Sequence, residues 1–300
     1  MHKTLDALIR LTRYKEYLWF VVVTTLLGVA AANGTFSLKL IIVLIANWLA
    51  VGFSFMINDV EDAADDALNP AKVNRNPVSA KILSPRTAYV ASFAVMILSG
   101  VMYALLGTLP FIIGLISLTV GFLYSWQRVR LKSMPFVDLI THCMMLAGFQ
   151  FLPAYFTFTS TLNDRWLWPF LAVTSISMYG ELFNELRDLT GDLEAGVKHT
   201  ASVLGQRATQ ILANILLALG VIALFITLFF VALIPVWVLI VMALLALILI
   251  VPPLLRVRRS QNMVQLQGSF QVPLTIAAAA ALVIGYLAPW LNSFFHFGIF

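Results

Sequence analysis

The chain has one cysteine, Cys143, and only four histidines in 300 residues. A single thiol cannot form a disulfide framework within the chain or furnish a cysteine-based metal site. Charge is scarce as well. Asp, Glu, Lys and Arg supply 11% of the residues, where a soluble domain carries about 25%. Mean hydropathy is +0.92. These shortages exclude an ordinary soluble globular domain. They also change the meaning of the formal net charge of +5. In a membrane chain an excess of Lys and Arg marks cytoplasmic connections rather than a nucleic-acid partner.

What the sequence has instead is a ladder of apolar runs. About nine approach the ~20 residues that a helix needs to cross a bilayer, at 18–35, 37–57, 87–106, 108–126, 135–157, 166–184, 209–230, 233–253 and 269–292. The connections alternate between short and long. With the N-terminus in the cytoplasm, 17 of the 19 Lys and Arg residues fall inside, leaving Lys39 and Arg165 outside. That asymmetry is a positive-inside pattern, and one span more or fewer would scramble it. An odd number of spans sends the C-terminus to the opposite side. "GVAAANG" has the small residues of a signal-peptide cleavage site, but Asp6 and Glu16 precede it, so the first span is expected to stay. "LDALIRLTRYKEYLW" is predicted to form a short amphipathic helix on the cytoplasmic surface.

The acids are concentrated. Ten of the 14 lie in two segments, "NDVEDAADD" from Asn58 and "ELFNELRDLTGDLEAG" from Glu181. Each begins at the cytoplasmic end of a predicted span. Asn58, Asp62 and Asp66 are four apart and share a helix face, and Asn184, Asp188 and Asp192 repeat the same residues at the same spacing. Lys72 and Lys198 each follow the Asn by 14 residues. The motifs are four spans apart, which reads as an internal duplication: two similar four-helix units with one span added.

Like charges at this spacing destabilise a bare helix. A divalent cation resolves the conflict. Carboxylate and amide oxygens suit Mg²⁺ or Mn²⁺ rather than zinc. Mg²⁺ takes one or two carboxylates and completes its shell with water and substrate phosphate, and the Lys and Arg residues after each motif suit phosphate oxygens. The ligand these features imply is a diphosphate at the membrane surface, attached to a hydrocarbon that the apolar bundle receives.

At this point the residues carry a family likeness. The chain resembles the UbiA superfamily of intramembrane prenyltransferases over nearly its whole length, 1–300, as one all-α polytopic domain. Asn58, Asp59, Asp62 and Asp66 match the family's N-D-x-x-D-x-x-x-D motif in the 58–86 connection. Asp188 and Asp192 match its D-x-x-x-D motif in the 184–208 connection. Tyr124, Ser125, Arg130, Leu131 and Lys132 resemble the family segment after the fourth helix. The chain departs in "NRNPVSAKILS", which replaces a compact Arg-Pro-x-Pro-Ser-Gly, and in Arg128, which stands where a Tyr-x-x-x-Lys pattern has lysine. Asn69 and Pro70, followed by Lys72, resemble carotenoid-elongating members.

The resemblance implies prenyl transfer from a polyprenyl diphosphate to a lipophilic or aromatic acceptor. The donor's chain would lie in an apolar tunnel and ionise at C1. It implies that Asn58, Asp62, Asp66, Asp188 and Asp192 hold Mg²⁺ and diphosphate, with Asp62, Asp66, Asp188 and Asp192 the catalytic acids. Lys72, Arg75, Arg128, Lys132 and Lys198 become the diphosphate contacts, and Asn184, Tyr124 and Asp65 further candidates. Two alternatives stay open: a terpene cyclase on the same fold, and an ion-coupled transporter, for which the acids are at the wrong depth. Among the remaining polar residues, His142 reads as a packed or hydrogen-bonded residue, with a substrate role as the alternative, and Asp138 as capping or neutralising the Arg130/Lys132 loop. Glu181 and Glu185 read equally as metal support or structural pairs. Arg256, Arg258 and Arg259 read as topology determinants.

Overall fold

A computed structural model describes residues 2–68, 72–194, 197–256 and 263–295. At 2, 3, 191, 192, 194, 253–256, 263–269 and 293–295 it describes the backbone alone. Asn69, Pro70, Arg258 and Arg259 lie outside the described residues, as do the side chains of Asp192 and Arg256.

Among the described residues every regular element is helical, because a chain in lipid must satisfy its backbone hydrogen bonds within each segment. The helices are α1 (His2–Leu11), α2 (Leu18–Ala31), α3 (Leu38–Glu61), α4 (Ala63–Ala67), α5 (Pro85–Ala104), α6 (Thr108–Ser125), α7 (Val137–Cys143), α8 (Phe149–Phe156), α9 (Leu167–Glu194), α10 (Thr200–Phe229), α11 (Val236–Arg256) and α12 (Met263–Phe295). Among them, 6 are long and apolar enough to cross a membrane, counting α7 and α8 with the turn between them as one. The segment Thr4–Glu16 meets α2 at a 56° bend, and that pair raises the number to 7 if it is one span. The protein is therefore an all-α, multi-pass integral membrane protein.

Two helices outrun their apolar cores. Helix α9 continues to Glu194 and α10 begins at Thr200, so most of 184–208 is helix rather than loop. Hydropathy registers only the lipid-facing stretch, whereas the polar turns project beyond it.

Helix α3 packs against α5 and α6, α2 against α8 and α12, and α9 against α10. The core includes Leu26, Val43, Phe53, Tyr103, Phe151 and Ala154. Asn47 pins four helices in its midst. Its amide donates to Thr25 Oγ1 and to the Gln150 carbonyl, both at 2.7 Å, and its Oδ1 accepts from Tyr103 OH at 2.7 Å. Close approach of α2 to α8 depends on Gly28, where a Cβ would stand 2.4 Å from the Phe151 carbonyl oxygen. Between α7 and α8 the chain makes a π-helical turn, Met144–Gly148. The Gln150 amide satisfies the Met145 carbonyl there at 2.7 Å.

Candidate functional site

Motif 1 straddles a helix break. Helix α3 ends at Glu61, Asp62 adopts φ −88° and ψ 2°, and α4 follows. Yet Asp62 N still bonds the Asn58 carbonyl at 2.9 Å, and Asp66 N the Asp62 carbonyl at 2.8 Å. The expected face is kept across the break. Motif 2 lies within the last turns of α9.

The two motifs face one cavity of about 630 Å³. Asn58, Asp62, Asp66, Lys72 and Arg75 line it from one side, and Asn184 and Asp188 from the other. Tyr124 lines it as well. Further along, Phe20, Val51, Phe55, Leu146 and Ile176 make the wall apolar. One cavity thus joins a polar, charged mouth to a hydrocarbon-compatible interior.

The acids are held by cations of the same chain. Lys132 Nζ reaches the Asp62 carboxylate and donates to Asn58 Oδ1 at 2.9 Å, while Arg130 Nη2 donates to Asp65 Oδ2 at 2.9 Å and to Asp62 Oδ1 at 3.5 Å. Burial pulls the Lys132 ammonium below the usual lysine range, and Asp62 opposes that pull. Asp59 faces Arg13 at 3.4 Å. Arg187 grips Asp188 with two bonds of 2.9 Å and holds it below the usual carboxylate range. The repulsion within each motif is therefore met by protein cations before any ligand arrives. Arg13 and Arg130 both take left-handed backbone, at φ 51° and 48°, a conformation that costs a non-glycine residue and persists only where the surroundings enforce it.

Asp66 is buried and accepts from Asn76 Nδ2 at 3.0 Å, with Arg75 4.0 Å away. Asn76 also donates to the Asp59 carbonyl at 2.6 Å and accepts from Val78 N at 2.9 Å, so one buried side chain locks the connection after motif 1 onto it. Arg10 adds a bond of 2.6 Å from α1 to the Asn74 carbonyl.

Other expected residues are placed elsewhere. Arg128 is exposed over the Trp126 ring, its guanidinium 5.7 Å from the centroid, and is not among the cavity's lining residues. Lys198 is exposed and Asp65 is turned outward to Arg130; neither lines the cavity. Asp138 does not neutralise Arg130 or Lys132. It is buried and accepts from Thr200 N at 2.7 Å, because the open N–H groups at the start of α10 lie against α7 and attract a carboxylate. Glu185 does the same at Ala201 N, at 2.8 Å, and pairs with His199. Arg13, Lys15, Glu16 and Arg187, none of them an expected site residue, line the cavity, as do His142 and Glu181.

Comparison with known proteins fits this arrangement. Residues 21–270 match the model of the UbiA prenyltransferase family. The chain belongs to that family. A lycopene elongase/hydratase of Haloarcula japonica is 29% identical over 162 residues, 52% of this chain and 51% of the relative. A digeranylgeranylglyceryl phosphate synthase of Sulfurisphaera tokodaii is 29% identical over 188 residues, 63% of this chain and 66% of the relative. The chain thus spans about half to just under two thirds of these relatives. Among solved structures, a UbiA homolog from Archaeoglobus fulgidus bound to GPP and Mg²⁺ superimposes with a TM-score of 0.66 at 19% identity, covering 94% of this chain and 98% of the other. The apo UbiA homolog from Aeropyrum pernix K1 gives 0.69 at 17% identity, covering 91% and 97%. These likenesses establish the fold.

The family raises the question of a divalent cation. Among the described residues no three His, Cys, Asp or Glu side chains converge as a ready-made metal cluster. The donor chemistry nevertheless fits Mg²⁺. Asn58, Asp62, Asp66, Asn184 and Asp188 offer only oxygen ligands from side-chain amides and carboxylates, and Mg²⁺ needs one or two carboxylates when phosphate and water complete the shell.

Proposed function

We propose that the protein transfers a prenyl group from a polyprenyl diphosphate to a lipophilic or aromatic acceptor within the membrane and releases diphosphate. The observation that carries this reading is the single cavity that joins both acidic motifs and their cations to an apolar interior. Family membership supports it, as does the presence of a lycopene elongase/hydratase and a digeranylgeranylglyceryl phosphate synthase among its relatives.

In this reading Asn58, Asp62, Asp66, Asp188 and Asp192 would hold Mg²⁺, which when bound supplies positive charge to the diphosphate oxygens. Lys72 and Arg75 bind those oxygens directly. Negative charge grows on the diphosphate as the C1–O bond breaks, so these cations bind the transition state more strongly than the ground state. Lys132 and Arg130 orient Asp62, and Arg187 orients Asp188. Phe20, Val51, Phe55 and Leu146 receive the prenyl chain and keep water from the allylic cation. Arg128 and Lys198, at the periphery, would raise the local concentration of the anionic donor.

We further propose one domain with nine spans. The six helices above are joined by α2, by α9 and by α11, whose apolar part is Val236–Pro252. The acidic motifs and the N-terminus face the cytoplasm and the C-terminus the opposite side, as the distribution of Lys and Arg requires.

The test is incubation of the purified protein with labelled prenyl diphosphates of several lengths. Aromatic acids, quinone precursors, lipid alcohols and carotenoids serve as acceptors, with mass spectrometry as the readout. A prenylated acceptor formed only with Mg²⁺ or Mn²⁺ is the expected result. A cyclised product from donor alone would indicate a cyclase, and absence of any turnover would sink both.

A further inference from the structure

Two His–Glu pairs occur four residues apart on α9, and they differ in surroundings. Glu185 and His199 are buried outside the cavity lining, and Glu185 is committed to the backbone of α10 through Ala201 N at 2.8 Å. That pair fastens two helices. Glu181 and His142 line the cavity. His142 Nδ1 lies 3.2 Å from Glu181 Oε2, and Tyr124 OH donates to Glu181 Oε1 at 3.4 Å while standing 3.5 Å from the same Nδ1. Among the described residues Glu181 caps no backbone group. Among the described residues it bonds to these two side chains.

A carboxylate can only accept, so the 3.2 Å contact puts a hydrogen on Nδ1 and leaves the Nε2 lone pair of the neutral ring available. Nε2 has no hydrogen-bond partner among the described residues, and the ring borders the cavity. Glu181, Asn184 and Asp188 follow one another at i, i+3 and i+7, so they share a face of α9. Glu181 is therefore about 10 Å deeper than Asp188, at a 1.5 Å rise per residue. The group lies just inside the charged mouth, where the apolar wall begins. The reacting carbon of a diphosphate ester held by the motifs would stand beside it. Burying a titratable pair in a membrane bundle is expensive; this one joins α7 to α9 and, unlike Glu185 and His199, borders the cavity.

We propose that His142 is the base that takes the proton the acceptor loses on prenylation, with Glu181 and Tyr124 as positioning residues. This rests on the prenyl-transfer reading and adds a step to it. The donor's C1–O bond breaks with its electron pair staying on the diphosphate. An electron pair of the acceptor forms the new bond to C1. The proton displaced from the acceptor, whether from O–H or from C–H at or beside the carbon attacked, passes to Nε2. The resulting imidazolium faces the Glu181 carboxylate and loses the proton to water when the products leave. The substrate class is accordingly an acceptor that must shed a proton to reach a stable product.

The experiment uses the full chain in detergent, as parent, His142→Gln, His142→Ala, Glu181→Gln and Glu181→Asp. Donor binding is read as the melting shift produced by Mg²⁺ and farnesyl thiodiphosphate, a poorly ionising analogue. Transfer is read with farnesyl diphosphate and whichever acceptor of the panel the parent prenylates. Transfer should fall about 100-fold or more in His142→Gln, the usual worth of a positioned base, with the melting shift retained. Glu181→Gln should lower kcat with little change in the donor's KM, and Glu181→Asp should recover part of the loss. Added imidazole should raise the rate of His142→Ala in a saturable manner. Transfer within threefold of the parent in both His142→Gln and Glu181→Gln overturns the proposal. So does joint loss of transfer and melting shift without imidazole rescue, since the pair would then hold donor or fold. A parent that turns over no donor with any acceptor sinks the prenyl-transfer reading itself.

Discussion

Asp62 and Asp66 are one helical turn apart but face different partners. Asp62 is held by Lys132 and Arg130, whereas Asp66 is buried beneath Asn76. Removing the Asp62 side chain therefore leaves the loop anchor untouched. Asp62→Ala and Asp188→Ala should each lower prenyl transfer by about 10²–10³-fold, the worth of a group that stabilises transition-state charge, while the protein stays folded. Melting with and without Mg²⁺ and diphosphate checks this, since the ligand-induced shift should be large in the parent and small in either variant. Normal turnover with a full shift in both variants would remove the acids from the site. Asn76 behaves in the opposite way. Asn76→Ala deprives Asp66 Oδ2, the Asp59 carbonyl and Val78 N of their partner at once, and an unmet buried group costs about 1–3 kcal/mol. The ligand-free protein should melt several degrees lower. An unchanged melting point would show that the connection after motif 1 is held by something else.

At the scale of elements, the motif helices were legible because two cues coincide: the end of an apolar run and acids four residues apart. Neither cue reaches contacts between distant helices. His142 is a lone histidine on an apolar helix, and its partner Glu181 lies 39 positions away, so nothing local links them. Arg13 and Arg187 are single cations among many, and their roles emerge only when the turn between α1 and α2 meets α9 at the cavity. The helix end that Asp138 meets was hidden because Thr200, which offers unpaired N–H groups, is 62 residues away. Packing distance was hidden for the same reason. A valine at Gly28 would thrust its Cβ against the Phe151 carbonyl, 2.4 Å away. Gly28→Val should part α2 from α8 and cost about 1–3 kcal/mol, as overpacking does. Gly100→Ala is the control: its Cβ would meet only Leu118 Cδ1, at 3.8 Å. The first variant should melt well below the parent and the second close to it. Equal melting of the two would mean that the α2–α8 approach is adjustable.

Over the whole molecule, charge and shape point the same way. The cations Arg13, Lys15, Lys72, Arg75 and Arg187 surround the mouth of the larger cavity. At the short connection between α8 and α9, by contrast, Arg165 is engaged by Asn33 from the connection between α2 and α3. On the proposed orientation the mouth opens on the side where Lys and Arg are retained, the cytoplasm. A charged diphosphate would enter from water there, while its hydrocarbon enters the bundle. Single cysteines in a Cys143→Ala background can test this, and Cys143 is buried, so its removal leaves the surface unaltered. Leu68 and Val197 are exposed beside the two motifs, and Leu162 is exposed in the connection between α8 and α9. A membrane-impermeant maleimide should label Leu68→Cys and Val197→Cys in inverted vesicles only, and Leu162→Cys in right-side-out vesicles only. Two of these positions flank different motifs, so their agreement also tests whether the motifs open on one side of the bilayer. Labelling of Leu68→Cys and Val197→Cys from opposite sides would rule out one shared diphosphate site. Labelling of both from the outside would invert the orientation but keep the site.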